Sequence, residues 1–220
     1  WQFKEADKRD QEFQIQLFEN KFFQLINIHR DNVKNINYSF TRRERPYSYH
    51  GPQAFYAFYN MFCYICTHIS QSNFMHTASD IIISSSLNKM IKESIMDFSF
   101  SSDESLKISE EILCQEIKYQ LNMYYHNIYV ILKYIDDNTN DEKRRKRYLR
   151  IFRSQISVYE YIMIYYHAAI HKENDNDELR FKKLIEKTGF FHNMEKNLIV
   201  DLDKNGQQFL TRYDESAFRS

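Results

Sequence analysis

The stretch YLRIFRSQISVYEYIMIYYHAAIH, residues 148–171, sets Arg153, Glu160 and His167 seven residues apart on an otherwise apolar surface. At about 100° per residue, Ser157, Glu160 and His167 fall within about 40° of Arg153, so one continuous helix would hold all four on a single stripe. Gln155 points elsewhere. A buried Arg–Glu pair could clamp a substrate anion or meet through a partner helix, and His167 could titrate near neutral pH. The stretch supplies no nucleophile with an adjacent base, so the favoured reading is a polar network that fixes helix register.

Three other clusters carry chemistry-bearing residues. Cys63 and Cys66 form a CxxC with His68 and His76 nearby, a spacing used for zinc. The pair lies inside an apolar helix without a knuckle turn, where thiols are usually small core residues. Asp201, Asp203 and Asn205, followed by Gly206, match the first half of a calcium loop, but its twelfth position is Arg212 and an Asn-Gly turn is the better reading. Neither a metal nor a cofactor is expected. Lys143, Arg144, Arg145, Lys146 and Arg147, with Arg150 and Arg153, concentrate cations that could hold phosphates or anionic headgroups. A basic helix start opposes its own dipole, so acidic neighbours or an anionic ligand must compensate. A solvated face is the simpler reading.

The elements that must position these residues are helical. With 3 Gly and 2 Pro in 220 residues, the chain has few of the residues that tight turns favour, while 43% hydrophobic content can bury a sizeable core. Its 17 Tyr and 18 Phe are expected mainly inside that core. Lys plus Arg equals Asp plus Glu at 30 each, so any attraction to nucleic acid or membrane must be local. Three cysteines without a disulfide pattern suit a reducing compartment.

Apolar periodicity predicts a long first helix to about Ile36, then a loop through NYSFTRRERPYSYHGP, then an apolar helix opening at Pro52. Residues 71–102 are serine-rich, with a short helix expected over Ser86 to Phe98. A third long helix follows Asp103, a fourth runs from Glu142 to His171, and a further one ends near Gly189. The expected fold is all-α, an antiparallel bundle of about five to seven helices over residues 1–200, with a turn and tail over 201–220.

Two resemblances add to this reading. RPYSYH sets Arg45 and His50 at the Arg-x4-His spacing that resembles HEPN-type helical ribonucleases, although Pro46 stands where that family favours a polar residue. This resemblance implies RNA cleavage through the 2′-hydroxyl, usually across a dimer, and makes a second copy of the chain a candidate partner. The ensemble FENKFFQLINIHRDNV, GPQAFYAFYNMF, YLRIFRSQISVYEYIMIYYHAAI and RFKKLIEKTGFFHNM, spanning about residues 13–195, resembles the phage abortive infection family of the AbiC type. Its pattern falls on His29, Arg153, Gln155, Ser157 and Glu160, with Ile156 replacing a leucine.

The AbiC-type resemblance implies a bacterial antiviral defence role, in which an infected cell stops growing before phage progeny mature. It also implies membrane helices preceding this region, an inner-membrane parent, and a cytoplasmic domain acting as sensor or toxin-like effector. A phage product or partner subunit would be its ligand. The alternatives are the ribonuclease and a helical interaction scaffold. No catalytic role follows from the resemblance.

Overall fold

The computed structural model describes residues 2–42, 44–69, 102–170, 176–199 and 213–219. The expected short helix at Ser86 to Phe98 and the Asp201, Asp203, Asn205 turn lie outside them. The described chain is mostly helical: α1 is Gln2–Asn35, α2 Pro52–Ile69, α3 Ser102–Asn138, α4 Glu142–Arg153, α5 Val158–Ile170 and α6 Asn176–Thr188. Short 3-10 turns at Phe190–Asn193, Lys196–Leu198 and Glu215–Phe218 complete it.

The all-α expectation needs one correction. The segment read as a loop forms an antiparallel hairpin, with strands β1 Asn37–Arg42 and β2 Arg45–His50. Its sequence alternates in the strand period: Tyr38 and Phe40 on one strand, Tyr47 and Tyr49 on the other. The Phe40 and Tyr47 rings stack across the pair with centroids 5.4 Å apart. At the tip Glu44 takes φ 66°, doing the work usually given to glycine or asparagine. Gly51 N–H closes the base by donating to the Ile36 carbonyl.

α3 is the hub, touching α1, α2, α4, α5 and α6. Its buried Leu121, Tyr124, Tyr125, Ile128, Ile131, Leu132 and Ile135 recur at three- and four-residue steps, a continuous face on which neighbours can pack. Aromatic rings fill the contacts: Phe18 meets Tyr148 at 4.7 Å, Phe55 meets Tyr124 at 4.7 Å, and Phe62 meets Tyr166 at 4.4 Å between centroids. Buried phenols still find acceptors. Tyr148 donates to Glu19, Tyr59 to the Leu198 carbonyl and Tyr161 to the Arg153 carbonyl.

α6 stops where expected, at Gly189, whose φ is 58°. The described part of the tail, 213–219, packs back on this end: Tyr213 donates to the Tyr165 carbonyl, and Ala217 is fully buried. A Cβ on Gly189 would overlap the Arg219 carbonyl oxygen, and the left-handed backbone itself costs a side-chain-bearing residue about 1–2 kcal/mol. Gly189→Ala is therefore expected to lower unfolding free energy by about 2–4 kcal/mol in urea titrations followed by circular dichroism. A loss no larger than that of an exposed alanine substitution would contradict this packing.

Candidate functional site

The helix expected to run unbroken from Glu142 to His171 is two helices. Past Arg153 the α-helical hydrogen bonding gives way to tighter turns, Gln155 N–H donating to the Phe152 carbonyl and Ile156 N–H to the Arg153 carbonyl, and Ser157 restarts the helix as the N-cap of α5. The residues SVYE, Ser157 to Glu160, form a capping box. The Glu160 Oε2 accepts from the Ser157 N–H at 2.9 Å, and the Ser157 hydroxyl accepts from the Glu160 N–H at 3.4 Å. Two helix-terminal donors that would otherwise be unpaired are thereby satisfied within the local sequence.

The second oxygen of Glu160 reaches into the core. Tyr124 of α3 donates its hydroxyl to Oε1 at 2.9 Å, and His29 Nε2 of α1 stands 3.9 Å away. Both His29 and Glu160 are 1% exposed. Burial pushes the Glu160 carboxyl up, against the bonds from Ser157 and Tyr124 that favour the anion. Burial, then the neighbouring Glu160, drives the Tyr124 phenol well up. His29 is lowered to about 4 by burial, with the Asn127 side chain opposing. It is therefore neutral at physiological pH, and among the described residues neither ring nitrogen makes a well-formed hydrogen bond, although Asn127 stands close enough to raise its pKa.

These residues border a cleft of about 610 Å³. One wall is Arg30, Val33 and Lys34 of α1; another is His50, Gly51 and Pro52 at the base of the hairpin; the third is the linker Ser154 to Ser157. His29 and Glu160 complete the lining. Five of the residues singled out from sequence, His29, His50, Gln155, Ser157 and Glu160, thus share one cleft, although four elements supply them. The broken helix explains why Gln155, which a continuous helix would turn away, joins Glu160 here.

The proposed single stripe is a misreading on the same ground. Arg153 precedes the break and does not meet Glu160; its Nη1 donates to the Gly189 carbonyl at 3.0 Å and its Nε to the Leu149 carbonyl at 3.4 Å. Burial lowers its pKa. His167, two turns beyond Glu160, stacks on Tyr125 with centroids 3.7 Å apart and bonds Glu110 through Nδ1 at 3.1 Å. It belongs to a separate network.

Arg45 and His50 occupy opposite ends of the six-residue strand β2. An odd separation puts them on opposite faces, and five steps of about 3.3 Å separate them by roughly 16 Å. Within one chain they do not converge on a phosphate. Cys63 and Cys66 are buried and not joined in a disulfide; burial raises both thiols, Cys63 to about 12. Among the described residues no cluster of ligating side chains fits a metal ion. The basic run divides: Arg145 turns to Glu142 and Asp136, while Lys143, Arg144, Lys146 and Arg147 line a groove with Arg150 and Arg153. Among the described residues no helix is long and apolar enough to cross a membrane.

Sequence reasoning missed the capping box, although Ser-x-x-Glu before an apolar run was there to be read. It also missed Tyr124 and Asn127, for which nothing local distinguishes a site residue from core.

Residues 116–198 match the family model described as "putative phage abortive infection protein". This span contains Tyr124, Asn127, Arg153, Gln155, Ser157 and Glu160; His29 and the hairpin lie before it. No curated protein and no solved structure matches the chain.

Proposed function

We propose that this chain is the helical sensor domain of a phage-defence protein, and that the cleft between α1, the hairpin base and the α4–α5 linker receives its trigger. The observation that carries this reading is His29: a neutral, buried imidazole on the lining of a cleft, with neither nitrogen in a well-formed hydrogen bond among the described residues, beside a buried carboxyl. A vacant buried donor and acceptor cost about 1–3 kcal/mol, which a ligand of matching polarity recovers on binding. The match of residues 116–198 to a phage abortive infection model supplies the biological setting.

Sensing requires unequal affinity for two conformations. The linker Ser154 to Ser157 is the element suited to that role, since it walls the cleft and sets the angle between α4 and α5. A phage product or a segment of a partner subunit seated there would bias the linker, and membrane helices of a cytoplasm-facing parent would receive the signal.

Gln155 is exposed, so Gln155→Trp fills the mouth without disturbing the core. Protection measured by phage plating on cells expressing the full protein should fall at least about tenfold, with an unchanged melting temperature for the purified chain. Full protection by a stably folded Gln155→Trp variant would remove the cleft from the mechanism.

A further inference from the structure

The face of α4 turned toward the Phe190–Asn193 turn carries a second feature that the cleft does not use. Lys143, Lys146, Arg147, Arg150 and Arg153 fall within about 120° of one another around the helix, and Lys143 to Arg153 extends about 15 Å along it. Together with Arg144 they line a groove of about 720 Å³, whose opposite wall is His192 and Asn193 of the Phe190–Asn193 turn.

The charge in this groove is only partly neutralised by its surroundings, Lys146 alone of its cations pairing with a carboxylate among the described residues. Its one acid, Asp141, is spent as the α4 N-cap, where it accepts from the Lys143 and Arg144 N–H groups. Glu142 engages Arg145 and Lys146. Among the described residues, Lys143, Arg144, Arg147 and Arg150 have no carboxylate partner. Arg153 is 5% exposed and fixed by the Leu149 and Gly189 carbonyls, which use two of its five N–H donors and orient the rest. A buried, oriented guanidinium at the base of a cationic groove is costly unless an anion joins it.

We infer that this groove binds single-stranded nucleic acid, its phosphates along α4 and its bases toward His192 and Asn193. A row of cations about 15 Å long matches a chain of several phosphates better than one isolated anion. The recessed position of Arg153 and the polar second wall favour a strand entering the groove over a flat bilayer resting on it. His192 is exposed and presents a ring on which a base can stack. This inference does not rest on the cleft at His29: loss of either site leaves the other testable.

Fluorescence anisotropy of the whole chain with a labelled single strand of about 12 nucleotides reads it directly, beside the same strand in a duplex and vesicles containing phosphatidylserine. Engagement of about four phosphates gives a slope near −3 in log K against log salt. Arg147→Ala with Arg150→Ala, both exposed side chains, should weaken the strand about tenfold and reduce the slope by about 1.4, at unchanged melting temperature. Lys8→Ala with Lys133→Ala removes equal charge from exposed ion pairs elsewhere and should leave binding intact. The inference is overturned by absence of strand binding, by equal weakening in the two double variants, or by preference for duplex or vesicles.

Discussion

Replacing Glu160 with alanine should lower the unfolding free energy by about 3 kcal/mol, the largest effect expected of any single polar side chain here. Two losses add. The capping box opens, at about 1 kcal/mol, and the Tyr124 hydroxyl, in a fully buried residue, is left without its acceptor at about 1–3 kcal/mol. Removing a carboxyl whose pKa burial has raised returns a part of this. For a chain of 220 residues each kcal/mol moves the melting temperature by about 2–4 °C, so the variant should melt roughly 10 °C lower. Glu160→Gln, which keeps an acceptor for Tyr124 and a side chain compatible with a capping box, should lose about 1 kcal/mol. Ser157→Ala removes only the weaker half of the box and should cost about 1 kcal/mol. If Glu160→Ala were no worse than Ser157→Ala in urea unfolding, the link from α5 to Tyr124 would contribute nothing.

That link matters because Glu160 does two jobs with two oxygens. One sets where α5 begins, and so fixes the linker; the other ties α5 to α3 and stands beside His29 of α1. A ligand touching His29 or Glu160 therefore acts on the same carboxyl that defines the linker geometry. Gly189 and Arg153 hold the other end of the linker, through the bond from Arg153 to the Gly189 carbonyl. Movement of the linker is constrained at both ends, which is the condition for a small displacement to be passed on instead of being absorbed.

The helices were legible in the sequence because their signals are local and redundant. Pro52 opens α2, Gly189 follows α6, and the apolar face of α3 repeats regularly from Leu121 to Ile135, beyond a kink at Ile117. The errors arose where a strong regular signal hid a weaker one. Apolar residues on both sides of SQIS keep helical spacing, and the segment has no Gly or Pro, so periodicity carried the reading through a break that only Ser-x-x-Glu announced. In the hairpin, Pro46, Gly51 and Pro52 suggested irregular chain, while a turn through Glu44 lacked the expected glycine. The cleft was half legible: Gln155, Ser157 and Glu160 are close in sequence, but their meeting with His29 and His50 depends on how α1 and the hairpin fold back. Burial of Tyr124 and Asn127 beside that cluster is a property of packing alone.

Lowering the pH from 6.5 to 4 should destabilise the protein by about 3 kcal/mol through His29 alone. Its folded-state pKa is about 4 against 6.5 for the unfolded chain, so between these values the unfolded chain takes up a proton that the folded one refuses. The contribution is complete above pH 6.5 and is lost as the pH falls toward 4; a span of about 2.5 units at 1.36 kcal/mol each gives the magnitude. Glu160 works in the opposite sense: with its pKa raised, it keeps a proton above 4.5 that the unfolded chain has released, so its contribution declines as pH rises. The two partly cancel in the native protein. Urea titrations of the protein and of His29→Gln across this range separate them, because the difference between the two curves reports the histidine. That difference should shrink by about 3 kcal/mol on acidification. A ligand that presents an acceptor to His29 would raise its folded pKa and flatten the profile, so the same measurement detects occupancy of the cleft. A pH-independent difference would mean that His29 titrates alike in both states, and the cleft would then hold no unsatisfied imidazole for a ligand to meet.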